Sequence, residues 1–206
     1  MITILGRRTS GNVMKPLWVA DEIGIPFEQV DIGGSFGGND DADYRAKNPM
    51  GLVPTLIDGD FVLWESNAIT RYLSAKHDTG GLCPSDPQER ALADQWMDWK
   101  LTAINPVMRP IFWGLVRTPA EERNEAEIKA GIDQGVQMWD LLDRHLAGRE
   151  FIVGDRLTMA DIPLGPQAFR WFELVKDRPS MPHLEAWYAR LCERPAFKTH
   201  CMNPLV

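Results

Sequence analysis

The opening segment alternates an apolar run, a helix-like stretch and a second apolar run, and this order constrains the fold more than any other feature. The apolar runs span Ile2–Leu5 and Phe27–Ile32, and residues 12–23 between them carry apolar side chains at helical spacing. Gly24 follows where a helix end favours a left-handed residue. Crossovers of this kind join parallel strands and are right-handed. The sequence therefore predicts a β-α-β unit.

A hairpin and a helix follow in the next part of the chain. Residues 55–63 read TLIDGDFVL, in which Asp58-Gly59 separates two apolar runs and is a strong signal for a tight turn. Residues 65–77 then place apolar side chains on one face of a helix. The order predicted for this half is β-α-β, an intervening segment, and β-β-α.

The composition changes at the segment GGLCPSDP, which begins at Gly80 and has the glycine and proline density of a linker. Beyond it, strand signals nearly vanish, and residues 128–146 repeat apolar side chains at steps of three or four. We therefore predict an α/β domain over residues 1–79, a linker over 80–86 and an all-helical domain over 87–206.

Charge and cysteine content exclude several classes of protein. Lys and Arg number 22 against 29 Asp and Glu, a formal net charge of −7, so a nucleic-acid backbone would be repelled. The three cysteines, an odd number at wide spacing, fit neither a disulfide framework nor a CxxC pair. The chain shows neither a signal-peptide pattern nor a run of bilayer-spanning length. We expect a soluble cytoplasmic protein with no nucleic-acid or membrane partner.

Three positions in the first domain could carry chemistry. A cis bond at Val53-Pro54, just before a strand, would expose backbone groups that can pair with an extended peptide. Glu65-Ser66 starts a helix, whose N–H groups attract a carboxylate. Residues 8–12 follow the first strand, at the sheet edge where open α/β sheets bind ligands. Each has a simpler interpretation as a turn or helix cap, but their combined order favours a binding site.

The chain resembles a cytosolic glutathione transferase over essentially its full length. Three segments carry the resemblance: ITILGRRTSGNVMKPLWVADEIGIPFE, NPMGLVPTLIDGDFVLWESNAITRYL and LTMADI. It implies a thioredoxin-like N-terminal domain that holds glutathione as co-substrate, an all-α C-terminal domain that completes an electrophile pocket, and a homodimer. A role in detoxification is implied as well, and no metal.

The resemblance also assigns a catalytic residue. The loop after the first strand contains no cysteine, and no tyrosine precedes Tyr44, which disfavours the classes that use those residues. Alignment on Gly-Ile-Pro-Phe places Ser10 at the catalytic serine of theta-like members, with Asn12 as an auxiliary donor. A free thiol has a pKa of about 8.5, so ionisation below pH 7 needs roughly 2 kcal/mol. One charge-assisted hydrogen bond supplies about 1.5–3 kcal/mol.

Glutathione-binding residues follow from the same comparison. Val53 would pair with the cysteinyl backbone beside cis-Pro54, and Glu65 and Ser66 would hold the γ-glutamyl end. Theta-like members often place a histidine or lysine before the NP motif to bind the glycyl carboxylate. This chain has Asn39 there instead, next to two aspartates. Asn39 could donate to the carboxylate. Two nearby cations, Arg45 and Lys47, are alternatives, although a solvated helix face explains them better.

For the second substrate, Arg109, Phe112 and Trp113 combine a cation with aromatic surface, which suits a flat or partly anionic electrophile. Trp171 and Phe172 are weaker candidates of the same kind. Aromatic residues in such patterns more often belong to the core.

Several functions remain open at this stage. The favoured hypothesis is a transferase that conjugates glutathione to small electrophiles. A glutathione-dependent peroxidase, thiol reductase, isomerase or dehalogenase would share the activated thiolate, and a non-catalytic binding or scaffolding module would share the fold. Asp94 and Asp98, on the helix that forms the dimer interface in the family, could reach the partner's glutathione, although surface charge is the simpler role.

Overall fold

The first domain is built on a four-stranded mixed sheet. The structure, a computed structural model, describes all 206 residues. The strands are β1 (Ile2–Leu5), β2 (Phe27–Val30), β3 (Thr55–Asp58) and β4 (Phe61–Trp64), in the order β2-β1-β3-β4. β1 pairs in parallel with β2, whereas β3 is antiparallel to both β1 and β4. The predicted β-α-β unit and hairpin are therefore confirmed.

Three helices accompany this sheet: α1 (Met14–Glu22), the short α2 (Ala42–Arg45) and α3 (Ser66–His77). The backbone of Gly24 has φ +70°, the left-handed conformation expected after α1. The hairpin differs from the prediction by one residue. Because Asp58 pairs with Phe61 at the end of the ladder, the two-residue turn is Gly59-Asp60. Gly59 supplies the positive φ of +62° that this turn needs.

The second half of the chain is helical, as predicted. Its helices are α4 (Pro87–Trp99), α5 (Asn105–Phe112), α6 (Glu125–Leu146), α7 (Asp161–Leu174), α8 (Pro182–Glu193) and α9 (Pro195–Cys201). Two π-helical turns, Lys100–Ile104 and Trp113–Arg117, continue α4 and α5. None of the helices is both long and apolar enough to cross a membrane. The boundary at residues 80–86 lies between α3 and α4, and this division of the domains stays a prediction.

The two domains share one hydrophobic core, in which α1 packs against α7 and α9. Trp18 is fully buried, and its ring centroid lies 4.8 Å from that of Phe197. Gly165 on α7 allows this packing, because a Cβ there would lie only 2.7 Å from the Trp18 ring. The close contact holds the loop that precedes α1 at a defined distance from α7.

The segment LTMADI forms the entry to α7. The Asp161 carboxylate accepts the backbone N–H of Thr158 at 2.9 Å, as expected for a carboxylate that reaches back over a helix start. Leu157 and Ile162, on either side, are both buried. α7 begins at Asp161, so this carboxylate links the first turn of the helix to the residues just before it.

Candidate functional site

A cavity of about 860 Å³ opens between the two domains. One wall consists of the loops at the carboxyl edge of the sheet, and the other consists of α5, the π turns on either side of it and α7. Its volume lies within the range of small-molecule binding sites. The predicted site can therefore be compared residue by residue with the lining of this cavity.

Ser10 and Asn12 both line the cavity. The backbone C=O of Ser10 accepts the N–H groups of Val13 and Met14, each at 2.9 Å, so Ser10 lies directly at the start of α1. Its hydroxyl makes no hydrogen bond within the chain and is free to donate into the cavity. The positive end of the α1 dipole favours an anion at this position.

The loop before β3 brings a free peptide edge to the cavity. The Val53–Pro54 peptide is cis, and Val53 lines the cavity. The backbone N–H and C=O of Val53 make no hydrogen bond within the chain. The loop is held from beneath by Tyr44, whose hydroxyl donates to the C=O of Leu52 at 2.6 Å and contacts Thr55 Oγ1 at 2.9 Å. Burial raises the pKa of Tyr44, which keeps the hydroxyl protonated.

Glu65 and Ser66 lie outside the lining of the large cavity, at the beginning of α3. The backbone of Glu65 has φ +72°, an uncommon conformation for a residue other than glycine. Its side chain is exposed, whereas Ser66 is buried as the first residue of the helix. No side chain caps the first turn of α3, so its N–H groups are available to a carboxylate.

Two buried lysines beside α3 have no counterpart in the sequence predictions. Lys15 Nζ donates to Asn67 Oδ1 at 2.8 Å. Burial, with Lys100 close by, holds the pKa of Lys15 well below its usual value. Burial also lowers the pKa of Lys100, to about 8. Helical periodicity alone would place a lysine at the surface, so the sequence offered no signal for this pair.

The region predicted to hold the glycyl carboxylate differs from the expectation in one respect. Asn39 lines the cavity, but its Nδ2 already donates to the C=O of Gly51 at 3.0 Å. Arg45 pairs with Asp40 at 2.6 Å, Lys47 Nζ donates to the C=O of Asp43 in α2 at 2.8 Å, and neither side chain lines the cavity.

Arg7 lines the cavity close to Asn39, and sequence reasoning missed it. A Cβ on Gly33 would lie 3.6 Å from Arg7 Nη1 and 3.8 Å from Asn39 Oδ1, so both side chains flank the same glycine. Burial, together with the nearby Arg117, lowers the pKa of Arg7. The available signal was its place directly after β1, at the ligand-binding edge of the sheet.

The helical wall contains three of the four residues predicted for the second substrate. Arg109 and Trp113 line the cavity and are exposed, with Trp113 57% accessible. Phe112 also lines it, although only 9% of the residue is accessible. Two residues of α7, Gln167 and Arg170, complete this wall and were not predicted.

Trp171 does not belong to the pocket, and its placement there is corrected. It is 0% accessible, and its ring packs against Gly135 and tilts toward Trp139 with centroids 6.1 Å apart. Phe172 is likewise buried, stacked on Tyr188. On α7 the neighbouring Arg170 faces the cavity, and a step of one residue along a helix turns the side chain by about 100°. Trp171 therefore points into the core.

Asp94 and Asp98 are engaged within the chain. Arg71 Nε lies 2.5 Å from Asp94, and its Nη2 lies 2.6 Å from Asp98. Burial by itself would lower the pKa of Arg71, but the two carboxylates raise it. Their effect is the larger, so the pKa of Arg71 lies above its usual value. The two aspartates therefore form a surface ion-pair cluster with α3.

An α/β sheet domain, an all-helical domain and a ligand cavity between them define the class, and comparison with known proteins identifies the family. The family model for the glutathione S-transferase N-terminal domain matches residues 1–75, and that for the C-terminal domain matches residues 103–195. The chain belongs to the glutathione S-transferase family, which confirms the resemblance and the fold class inferred from the sequence.

Several relatives are similar over their full length. Glutathione S-transferase GstB of Escherichia coli K12 is 42% identical over 207 residues, with 100% of both chains covered. Glutathione S-transferase 3 of Zea mays is 31% identical, covering 99% of this chain and 95% of its own. The theta class glutathione S-transferase of Xanthomonas axonopodis pv. citri, solved with glutathione bound, is 50% identical with a TM-score of 0.95, covering 100% of this chain and 99% of its own.

Proposed function

We propose that the protein is a glutathione S-transferase that activates the glutathione thiol as a thiolate and conjugates it to small electrophiles. The observation that carries the proposal is the Ser10 hydroxyl, free of partners and facing the cavity at the start of α1. Full-length similarity to glutathione S-transferases, one of them solved with glutathione bound, supports glutathione as the co-substrate.

Glutathione would lie along the sheet edge. The free N–H and C=O of Val53 pair with the cysteinyl backbone beside Pro54 in the manner of an added strand. Glu65 and Ser66, at the start of α3, hold the γ-glutamyl end, where the helix N-terminus attracts its carboxylate. In this arrangement the sulfur comes to the start of α1.

The glycyl carboxylate takes its counter-charge from Arg7, with Asn39 beside it. This assignment is supported by the place of both side chains at Gly33 and by the absence of Arg45 and Lys47 from the cavity lining. A guanidinium can bind a carboxylate through two parallel hydrogen bonds.

The chemical step follows from the hydroxyl at Ser10. It donates a hydrogen bond to the sulfur and stabilises the thiolate over the thiol, with the α1 dipole contributing up to about 1 kcal/mol and Asn12 acting as a second donor. The thiolate then attacks the electrophile and forms the new bond to sulfur. Ser10 needs no covalent role, because the co-substrate itself is the nucleophile.

The proposal also includes a homodimer and a cytoplasmic location. Both are supported by family membership, and the cytoplasm also by a cysteine content that suits a reducing compartment. In such a dimer, the cluster of Asp94, Asp98 and Arg71 would be available at the interface. Light scattering of the purified protein tests the dimer, and cell fractionation tests the location.

The test of the proposal is the ultraviolet absorbance of the bound thiolate, measured against pH. Wild type should show a thiol pKa below that of free glutathione. Ser10→Ala should raise it by at least about one unit, or 1.36 kcal/mol, while glutathione affinity changes only several-fold. Thr9→Val is the matched control, because Thr9 presents the neighbouring hydroxyl to the same cavity.

Other results would point elsewhere. An unchanged pKa in Ser10→Ala would exclude the role given to Ser10, and a rise in Thr9→Val alone would transfer that role to Thr9. Glutathione binding without a depressed thiol pKa in wild type would favour the non-catalytic binding module. A depressed pKa without conjugate formation would favour one of the other thiolate reactions, which product analysis separates.

A further inference from the structure

The cavity contains an unusual concentration of positive charge. Arg7, Arg109, Arg117 and Arg170 all line it, and no aspartate or glutamate does. None of the four forms an ion pair within the chain, although the protein as a whole carries a net charge of −7. Uncompensated guanidinium groups in a concave site raise the local concentration of anions.

Arg170 is the most buried of these cations. Its Nε is inaccessible to solvent and has no hydrogen-bond partner. Burial, and then the charges of Arg117 and Arg7, lower its pKa to about 10, so the guanidinium remains protonated at neutral pH. Keeping a buried cation without a counter-charge is costly, and an anion bound in the cavity would offset this cost.

Two of the arginines lie beside the ring of Phe112. The guanidinium carbon of Arg170 lies 4.1 Å from the ring centroid, and that of Arg117 lies 5.7 Å from it. These distances are in the range of cation–π contacts. Both cations therefore lie at the same aromatic side chain in the cavity wall, which fits a molecule with a flat apolar part and an anionic group.

The position of Arg170 relates this anion site to the reacting sulfur. A Cβ on Gly11 would lie 2.9 Å from the Arg170 guanidinium carbon, so the guanidinium rests against the backbone next to Ser10. An anionic group on Arg170 would hold the rest of a small molecule near the Ser10 hydroxyl.

The carboxylates of glutathione have other partners in the proposed arrangement. The γ-glutamyl carboxylate lies at the start of α3, and the glycyl carboxylate lies at Arg7. Arg117 and Arg170 come from the helical wall, which in the proposed function receives the electrophile. Arg117 and Arg170 are therefore free to bind the second substrate.

We propose that Arg117, Arg170 and the ring of Phe112 form an anion subsite that selects aryl electrophiles bearing a carboxylate. The inference rests on the proposed function, because it names the class of the second substrate. In a substitution of this class, the thiolate forms a C–S bond at the ring carbon that carries chlorine. The C–Cl bond breaks, its electron pair leaves with chloride, and the thiol proton has already passed to solvent.

A matched pair of substrates tests the subsite: 4-chloro-3-nitrobenzoate and its neutral isostere, 4-chloro-3-nitrobenzamide. For each, kcat/KM is divided by the rate constant of the uncatalysed reaction with glutathione, which removes the difference in intrinsic reactivity. Wild type should favour the benzoate by about tenfold or more, as a charge-assisted hydrogen bond would supply. The preference should weaken as salt is added.

Three variants and a control locate the effect. Arg117→Gln and Arg170→Gln should each abolish most of this preference by raising KM for the benzoate, with KM for glutathione nearly unchanged. Arg170→Lys should retain part of it. Arg144→Gln removes one positive charge from the exposed face of α6, where Arg144 pairs with Asp140, and should leave the preference intact.

A second measurement keeps the subsite testable if turnover is slow. The purified thioether conjugates of the two substrates are compared by calorimetry, where the carboxylate conjugate should bind about tenfold tighter or more to wild type but not to Arg117→Gln. Arg117 is exposed, so this variant should fold.

Failures of the two proposals are distinguishable. Equal binding of both conjugates to wild type, or an unchanged preference in Arg117→Gln, would overturn the anion subsite. A rise in KM for glutathione, with the benzoate preference retained, would also overturn it and assign these arginines to glutathione. Failure of the proposed function itself would appear as a thiol pKa that is not depressed and the absence of conjugation with either substrate.

Discussion

Replacing Asp161 with asparagine should change how stability depends on pH, with little direct effect on the cavity. Asp161 is fully buried where α7 begins. Its carboxylate accepts hydrogen bonds from the backbone N–H of Ile152 at 3.1 Å and of Thr158 at 2.9 Å, and from Trp187 Nε1 at 2.8 Å. These donors favour the charged form, whereas burial favours the neutral form.

Burial prevails and raises the pKa of Asp161 to about 6, from an ordinary value of 3.8. As the pH rises from about 4 to 6, the unfolded chain releases this proton before the folded protein does. Unfolding is therefore increasingly favoured across this window. A pKa difference of about two units corresponds to about 3 kcal/mol. The free energy of unfolding falls by this amount between pH 4 and 6, and the loss stays constant above pH 6. Asparagine does not titrate and lacks this contribution.

The assay is urea unfolding followed by tryptophan fluorescence at pH 4, 5, 6 and 7, at one protein concentration. The free energy of unfolding of wild type minus that of Asp161→Asn should fall by about 3 kcal/mol from pH 4 to 6. Asp140→Asn, on the exposed face of α6, controls for the loss of one carboxylate. A difference that stays constant, or that rises with pH, would refute the reasoning and show that the hydrogen bonds outweigh burial.

Two further substitutions test packing and burial elsewhere, each by the urea midpoint. Gly165→Ala should destabilise the protein by about 1–3 kcal/mol, because the new Cβ would lie 2.7 Å from Trp18 and 2.8 Å from Phe197. Unchanged stability would mean that the two domains separate readily at this contact. Asn67→Leu removes the hydrogen-bond acceptor of the buried Lys15 amine and should lower the free energy of unfolding by about 1–3 kcal/mol. A stabilised variant would show that Lys15 finds another partner.

Local features could be predicted from the sequence because their causes lie within a few residues. The β-α-β opening depends on short-range apolar spacing, and the left-handed Gly24 depends on one residue's backbone freedom. The hairpin was predicted with its turn displaced by one residue, since the final register follows from pairing along the whole strand. Family resemblance then brought Ser10, Asn12, Asn39 and Val53 to notice.

The arrangement of charge around the cavity depended on tertiary structure. Arg7, Arg117 and Arg170 lie far apart in the sequence, and nothing in their local patterns indicates that they line one cavity. Trp171 was wrongly predicted for the same reason: its aromatic side chain would suit a pocket, but in the folded protein it lies in the core. Periodicity determines which residues share a helix face. The packing of α7 against α1 and α5 decides whether that face lies in the core or lines the cavity. The sequence by itself thus determined the helices, the strands and the family. The packing of segments that are distant in the sequence determined the positive charge of the cavity.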